Sequence, residues 1–78
     1  MDETIPVLNT IKDQMIDFVT NGKTPKYIFL GSESYKSLIA ELGIENLQNS
    51  YSNIDGIETL WGLEIFEKKA YLKYVLVG

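Results

Sequence analysis

The last third of the chain reads Gly56-Ile57-Glu58-Thr59-Leu60-Trp61-Gly62-Leu63-Glu64-Ile65-Phe66-Glu67, then Lys68-Lys69, then Ala70-Tyr71-Leu72-Lys73-Tyr74-Val75-Leu76-Val77-Gly78. Residues 57–61 and 63–67 alternate in the manner of β-strands, with Gly62 as a bulge or bend between them. Lys68 and Lys69 turn the chain, and residues 71–77 again place alternate side chains on two faces. The stretch predicts two or three strands at this end of the chain.

A helix is predicted at the other end, over residues 4–21. Thr4 is its predicted cap, and Pro6 fits its first turn. Asn21-Gly22 supplies a left-handed stop. The apolar residues recur at spacings of three and four and are predicted to face the core: Leu8, Ile11, Met15, Phe18 and Val19.

The middle of the chain combines a short strand and a second helix. Tyr27 to Leu30 is an unbroken apolar run, typical of a strand covered on both faces. Residues 32–42 predict a helix with Ser32 as N-cap and Gly43 as terminator. Its predicted buried stripe is Tyr35, Leu38, Ile39 and Leu42. Residues 44–55 are polar and predict a loop, with one helical turn at 45–47.

These elements predict one α+β domain spanning residues 1–78. We expect a small, mostly antiparallel sheet with both helices packed on it. The expected order is helix, strand, helix, strand, strand, strand, with residues 27–30 central in the sheet.

The composition excludes several classes of function. The 78 residues include no His, Cys or Arg, and the net charge is −4. Without these side chains there is no imidazole base, no thiolate metal ligand and no bidentate phosphate fork. An acidic chain is also a poor match for nucleic acid. We therefore expect a non-enzyme with no cofactor, no metal, no catalytic residue and no nucleic-acid partner. No segment has the apolar length of a membrane span, and the acidic start is unlike a signal peptide, so a cytoplasmic location is expected.

Motifs that could carry chemistry are better explained structurally. Gly31-Ser32 stands at a strand-to-helix turn but matches no phosphate loop or nucleophile elbow. Asn53-x-Asp55-Gly56 lacks the remaining positions of a calcium loop and predicts a turn. Glu58 and Glu64 fall in strand alternation and are predicted to face solvent rather than to pair as acid and base.

Aromatic residues offer the remaining candidates for contacts. Tyr27, Tyr71 and Tyr74, with Lys26 and Lys73, have the residue types that stack on single-stranded nucleic acid, but the acidic balance argues against that partner. Trp61, beside Gly62, predicts either a core anchor or an interface residue.

The C-terminal strand predicts association with another chain. Residues 71–77 are expected at a sheet edge, where unpaired backbone groups can add a strand. A weak dimer through this edge and a monomer with an internal C-terminal strand both stay open. The interface candidates are Trp61, Tyr71, Lys73, Val75 and Val77.

Several short motifs carry a family resemblance: Pro25 and Ile28, then Leu30-Gly31-Ser32 with Tyr35 and Leu38, then Leu60-Trp61-Gly62-Leu63 with Ile65, and Leu76-Val77-Gly78. The chain from Leu8 to Gly78 resembles the axial-domain segment of tailed-bacteriophage major capsid proteins, a fold shared with encapsulins. The capsid arm, extended loop and long spine helix have no full-size counterpart here, and Glu64 replaces a common proline.

The resemblance implies a phage- or prophage-type structural or interaction domain in the bacterial host cytosol. It implies a free-standing relative or a fragment that keeps the fold without assembling a shell, with a protein partner or self-association. The alternative is a small acidic phage-encoded inhibitor that binds a host protein's nucleic-acid-binding surface. That alternative requires carboxylates clustered on one face.

Overall fold

The computed structural model describes residues 6–78. The elements in chain order are α1 (Val7–Thr20), β1 (Tyr27–Gly31), α2 (Ser32–Ile44), a 3₁₀ turn (Gln48–Ser50), β2 (Tyr51–Ile54), β3 (Ile57–Leu60), β4 (Leu63–Lys68) and β5 (Val75–Val77). The predicted α+β class, with two helices and a mostly antiparallel sheet, is confirmed.

The sheet has five strands in the order β2-β3-β4-β1-β5. β1 pairs in parallel with β4 and antiparallel with β5. The pairs β2–β3 and β3–β4 are antiparallel. β1 is thus an interior strand, as predicted for residues 27–30. The middle strand of the five is β4, because the sheet includes β2, which the sequence pattern does not predict.

One face of the sheet carries the whole core. Ile28 of β1 aligns with Ile65 of β4 and Val77 of β5, so these buried side chains point the same way. Both helices pack on this face. The core residues are Val7, Leu8, Ile11, Ile28, Leu30, Leu38, Leu42, Leu60, Leu63, Ile65 and Val77. Within the described part of the chain, the opposite face carries no helix, so the prediction that residues 27–30 form a strand covered on both faces is wrong.

The strand β2 corrects the prediction of a loop over residues 44–55. Asp55 and Gly56 adopt φ values of 54° and 81°, as a two-residue type I′ hairpin turn requires. That turn pairs Ser52 with Thr59. Asn and Ser have weak strand propensity, so the pairing depends on β3 rather than on local preference. The predicted helical turn at 45–47 lies instead at Gln48–Ser50.

The predicted strand over 71–77 is shorter than expected, because residues 71–72 serve helix α2. The backbone N–H groups of Ser32, Glu33 and Ser34 donate to the Tyr71 and Leu72 carbonyls at 2.9–3.2 Å. These carbonyls satisfy amides that a helix N-terminus leaves unpaired. The prediction of Ser32 as N-cap is wrong, since Gly31 holds that position and no side chain caps it.

Gly31 is required by the close approach of this loop. A Cβ at position 31 would lie 2.5 Å from the Leu72 carbonyl oxygen. No side chain fits there unless the backbone of the loop moves. The glycine therefore allows the loop after β4 to reach the start of α2.

Helix α1 begins with help from α2. The Glu41 carboxylate accepts the backbone N–H groups of Val7 and Leu8, both at 2.9 Å. A negative charge at a helix N-terminus also matches the helix dipole. The predicted Thr4 cap lies outside the described residues.

The helix ends correct two further details. Gly22 closes α1 with a φ of 75°, as predicted, but α2 continues through Gly43 and is closed by Asn46, whose φ is 58°. At both helix ends, a backbone N–H just beyond the helix donates to a carbonyl of the last turn. Lys23 donates to the Phe18 carbonyl, and Leu47 donates to the Leu42 carbonyl. Val19 and Ile39, predicted in the buried stripes, are exposed because each lies at the margin of its helix face.

Leu38→Ala should lower the free energy of unfolding by about 2–5 kcal/mol, because Leu38 is fully buried and its truncation leaves a cavity. Urea denaturation measures the change. Ile39→Ala on the same helix is the matched control, since Ile39 is 40% exposed and should cost less than about 1 kcal/mol. Equal costs at the two positions would contradict the packing described above.

Gly31→Ala should destabilise the protein by about 1–3 kcal/mol through loss of hydrogen bonds between the 71–72 carbonyls and α2. Hydrogen exchange of the Ser32, Glu33 and Ser34 amides should accelerate. Gly43→Ala is the control within α2, where the nearest atom lies 4.0 Å from the added Cβ. It should stabilise the helix by about 0.5–1 kcal/mol. Unchanged exchange in Gly31→Ala would show that the loop does not cap the helix.

Candidate interaction surface

The face of the sheet opposite the helices carries a cluster of aromatic rings. Tyr27 and Phe29 project from β1 and Phe66 from β4, with ring centroids 5.6–6.2 Å apart. Leu76 of β5 aligns with Phe29. Tyr27 and Phe66 are each 40% exposed and Leu76 is 44% exposed. Exposed apolar side chains that are contiguous in this way mark contact sites more often than scattered ones do.

Two charges border this cluster along β4. Glu64 aligns with Tyr27, and Lys68 aligns with Gly31, so alternation places both charges on the same side as Phe66. The Lys68 ammonium lies 5.3 Å from the Phe29 ring centroid, within range of a cation–π interaction. We call the surface formed by Tyr27, Phe29, Glu64, Phe66, Lys68 and Leu76 the open face.

Sequence reasoning missed Phe29, Phe66 and Leu76 as contact residues. A signal was present, because Phe66 alternates in phase with Glu64 and Lys68 rather than with Leu63 and Ile65. The alternation along a strand shows which residues share a face of the sheet, but it does not show which face the helices cover.

Trp61, a predicted contact residue, lies in the turn between β3 and β4. Trp61 and Gly62 have φ values of 51° and 82°, so the bend expected at Gly62 is a two-residue turn. The indole is half-buried against the core, and the Lys12 ammonium lies 5.7 Å from its ring centroid. Trp61 is thus a partial core anchor, as one of its two interpretations predicts. It also lines a shallow apolar groove with Met15, Ile16 and Leu47.

The other predicted contact residues do not join Trp61. Tyr71 and Lys73 lie in the loop after β4, at the end of that strand away from the Trp61 turn. The Tyr71 and Tyr74 rings stack on each other at 5.0 Å and do not belong to the aromatic cluster of the open face. Val75 is half-buried and Val77 is buried. Val77 is therefore wrong as a contact candidate.

The outer edge of β5 is closed by a side chain of α1. β5 lies at the sheet edge, as predicted. The Gln14 side chain donates to the Val75 carbonyl at 2.9 Å and accepts the Val77 N–H at 2.7 Å. Tyr74 and Gly78 bond to β1, so Val75 and Val77 are the residues whose backbone groups face outward. Two of the four outward backbone groups, the Val75 carbonyl and the Val77 N–H, are thus already bonded within the chain, which disfavours the predicted strand addition at this edge.

A cluster of titratable side chains lies between α2 and the β2–β3 hairpin. The Tyr35 and Tyr51 hydroxyl groups both donate to the same Glu58 carboxylate oxygen. Glu58 is half-buried, which corrects its prediction as a solvent-facing residue. Burial raises the pKa of Tyr35 and of Tyr51, and the Glu58 carboxylate raises both further. These bonds join three elements and leave the carboxylate paired, so the cluster has a structural role.

The start of α2 offers no room for an anion. Its first amides are bonded to the Tyr71 and Leu72 carbonyls, which is consistent with the structural interpretation of Gly31-Ser32. Among residues 6–78, no group of three or more Asp and Glu side chains is arranged to hold a metal ion. In the same part of the chain, neither helix is long and apolar enough to cross a membrane.

Comparisons with known proteins add no relatives. No family model matches the sequence, and neither the curated proteins nor the solved structures contain a match. The functional argument therefore depends on the geometry of this chain.

The unfolding free energy should fall as the pH rises above 10, the ordinary pKa of tyrosine. The native state holds its Tyr35 and Tyr51 protons to higher pH, while the unfolded chain releases them near that value. The stabilisation is therefore complete below pH 10 and is lost as the pH climbs toward the raised native pKa values. Urea unfolding over a pH series measures the slope.

The double variant Tyr35→Phe/Tyr51→Phe is the control for this slope. It removes both hydroxyl groups and keeps the rings, so the two proteins have all their other titratable side chains in common. Its stability should decline less steeply with pH than that of the parent. Parallel curves would mean that these two hydroxyl groups do not account for the dependence.

Proposed function

We propose that this protein is a non-enzymatic interaction domain that binds another protein surface through its open face. The observation that carries the proposal is the cluster of Tyr27, Phe29 and Phe66 on the side of the sheet away from the helices. A small domain gains stability by covering apolar rings, and this one leaves them in solvent while its other face is packed. Aromatic residues are also the types enriched at the centres of protein interfaces.

The charges of the open face favour a protein over a nucleic acid. Lys68 is balanced by Glu64 on the same face, and the chain as a whole carries −4. Strand binding by stacked aromatics depends on a basic groove that follows the phosphates. Glu67 also lines the shallow pocket on this surface, so the aromatic cluster has no excess of positive charge and matches a protein surface better.

The absence of several side chains that enzymes commonly use in catalysis supports a non-catalytic role. The sequence contains no His, Cys or Arg. The one carboxylate held with other titratable groups in the described residues, Glu58, is bonded by two tyrosines in a tie between elements. We propose a cytoplasmic, cofactor-free protein on this basis.

The resemblance to capsid axial segments indicates which kind of interaction domain we propose. The motif at Leu30-Gly31-Ser32 falls where β1 enters α2, and the motif at Leu60-Trp61-Gly62-Leu63 forms the β3–β4 turn. Both are positions where this fold has strict local requirements. We propose a phage- or prophage-type structural domain that makes protein contacts in an assembly.

The alternative of an acidic inhibitor has less support. Its carboxylates would gather on one surface to imitate nucleic acid. The described carboxylates lie on α1, on α2 and the residue after it, in the β2–β3 turn, and on β3 and β4. Glu41 and Glu58 are occupied by hydrogen bonds inside the fold. This distribution favours the interaction domain.

A photo-crosslinking residue in place of Phe66 should form adducts that the same residue in place of Lys36 does not. Lys36 is exposed on α2, on the helical side of the molecule, so it reports contacts unrelated to the open face. The purified chain and a lysate of the encoding cell are irradiated, and adducts are identified by mass spectrometry. One defined protein partner, or a second copy, at position 66 is the expected result. Adducts of equal yield at both positions would reject the open face as the contact surface.

A further inference from the structure

We infer that the partner of the open face is the same face of a second copy of this chain, with the two β4 strands antiparallel. The inference rests on the proposed function and names its partner. The observation behind it is the order of the side chains that β4 presents on this face: Glu64, Phe66 and Lys68.

This order is self-complementary when one copy is reversed. Glu64 and Lys68 are four residues apart, or about 13 Å along the strand, with Phe66 midway. A two-fold axis passing near Phe66, in the plane between the sheets and perpendicular to the strands, places Glu64 opposite Lys68 of the second copy. The symmetry repeats the contact, so one arrangement forms two ion pairs around a pair of phenylalanines.

The opposite orientation is electrostatically unfavourable. A two-fold axis parallel to the strands would set Glu64 against Glu64 and Lys68 against Lys68 of the second copy. Like charges that face each other in a partly desolvated interface oppose association. The charge pattern therefore selects the antiparallel arrangement.

The apolar part of the open face is suited to sheet-on-sheet packing. Two sheets in a sandwich lie about 10 Å apart with strands within about 30° of each other, and their side chains interdigitate. Phe29 and Leu76 lie level with Phe66 on β1 and β5, so the same axis places each of them over its own counterpart in the second copy, and it places Tyr27 over Gly31, which has no side chain. The Lys68 ammonium already lies above the Phe29 ring and so points over the face.

The edges of the sheet are less suited to a second copy. Gln14 bonds to two outward groups of β5, the Val75 carbonyl and the Val77 N–H. β2 is only four residues long, and its neighbours after Ile54 turn away into the hairpin. Pairing at β2 also leaves the aromatic cluster in water, whereas face-to-face packing covers it.

Charge reversal with rescue tests the inference. Sedimentation velocity of the full chain over a concentration series should show a monomer–dimer equilibrium. Glu64→Lys and Lys68→Glu should each weaken the dimer by about tenfold or more, because each creates like-charge contacts across the two-fold axis. The double variant Glu64→Lys/Lys68→Glu restores opposite charges and should recover the dimer to within about threefold of the parent.

Two controls keep the result interpretable. Near-ultraviolet circular dichroism of Trp61 checks that each variant is folded. Asn53→Pro removes an N–H that faces away from β3 at the β2 edge, and it should leave the face-to-face dimer unchanged.

Three outcomes overturn the inference: a parent that stays monomeric, a dimer indifferent to the single reversals, or a dimer lost in Asn53→Pro. If the parent is monomeric while position 66 crosslinks to a different protein, the proposed function stands and the second copy is excluded. If position 66 yields no adduct of its own, the proposed function fails as well.

Discussion

The structure depends on the hydrogen bonds between the start of α2 and the backbone carbonyls of residues 71 and 72. These bonds join residues that are 38 or 39 positions apart in the sequence, and they fix where the chain goes after β4. From Leu72 the chain can only continue along the free side of β1, where it forms β5. Without Gly31 the approach is blocked at 2.5 Å. Gly31 is thus required for the chain to take this path from β4 to β5.

The remaining polar ties follow the same scheme, in which each element is held by a group from another. Glu41 of α2 starts α1, Gln14 of α1 holds β5, and Glu58 of β3 is bonded by tyrosines from α2 and β2. A domain of this size has a small core, so such bonds carry a larger share of its specificity than in a larger protein. Because distant groups supply these bonds, the described helix starts do not depend on capping by neighbouring side chains, which is the kind of capping that sequence patterns reveal best.

Local sequence patterns predict those helices and strands that are specified by the spacing of their own apolar residues. Both helices, β1 and the β3–β4 pair follow from apolar spacing and from glycine at the turns. β2 escapes prediction because Ser52 and Asn53 form a strand only beside β3. Residues 71 and 72 alternate like a strand yet act as a helix cap, since α2 takes its hydrogen-bond acceptors from a distant part of the chain. The aromatic cluster is missed for a similar reason: alternation groups Phe66 with Glu64, but only packing decides which side of the sheet the helices cover.

The side-chain amide of Gln14 has a consequence for the behaviour of the chain under stress. Residues 74–78 are apolar, rich in β-branched side chains and uncharged, which is the composition that templates cross-β growth. In the native fold a primary amide from α1 occupies two of the hydrogen-bonding positions that an incoming strand would use, at the Val75 carbonyl and the Val77 N–H. Detachment of α1 would free these two groups and would also expose the core that the helix covers. We therefore expect local opening of this helix, rather than global unfolding, to be the step that makes residues 74–78 accessible to cross-β pairing.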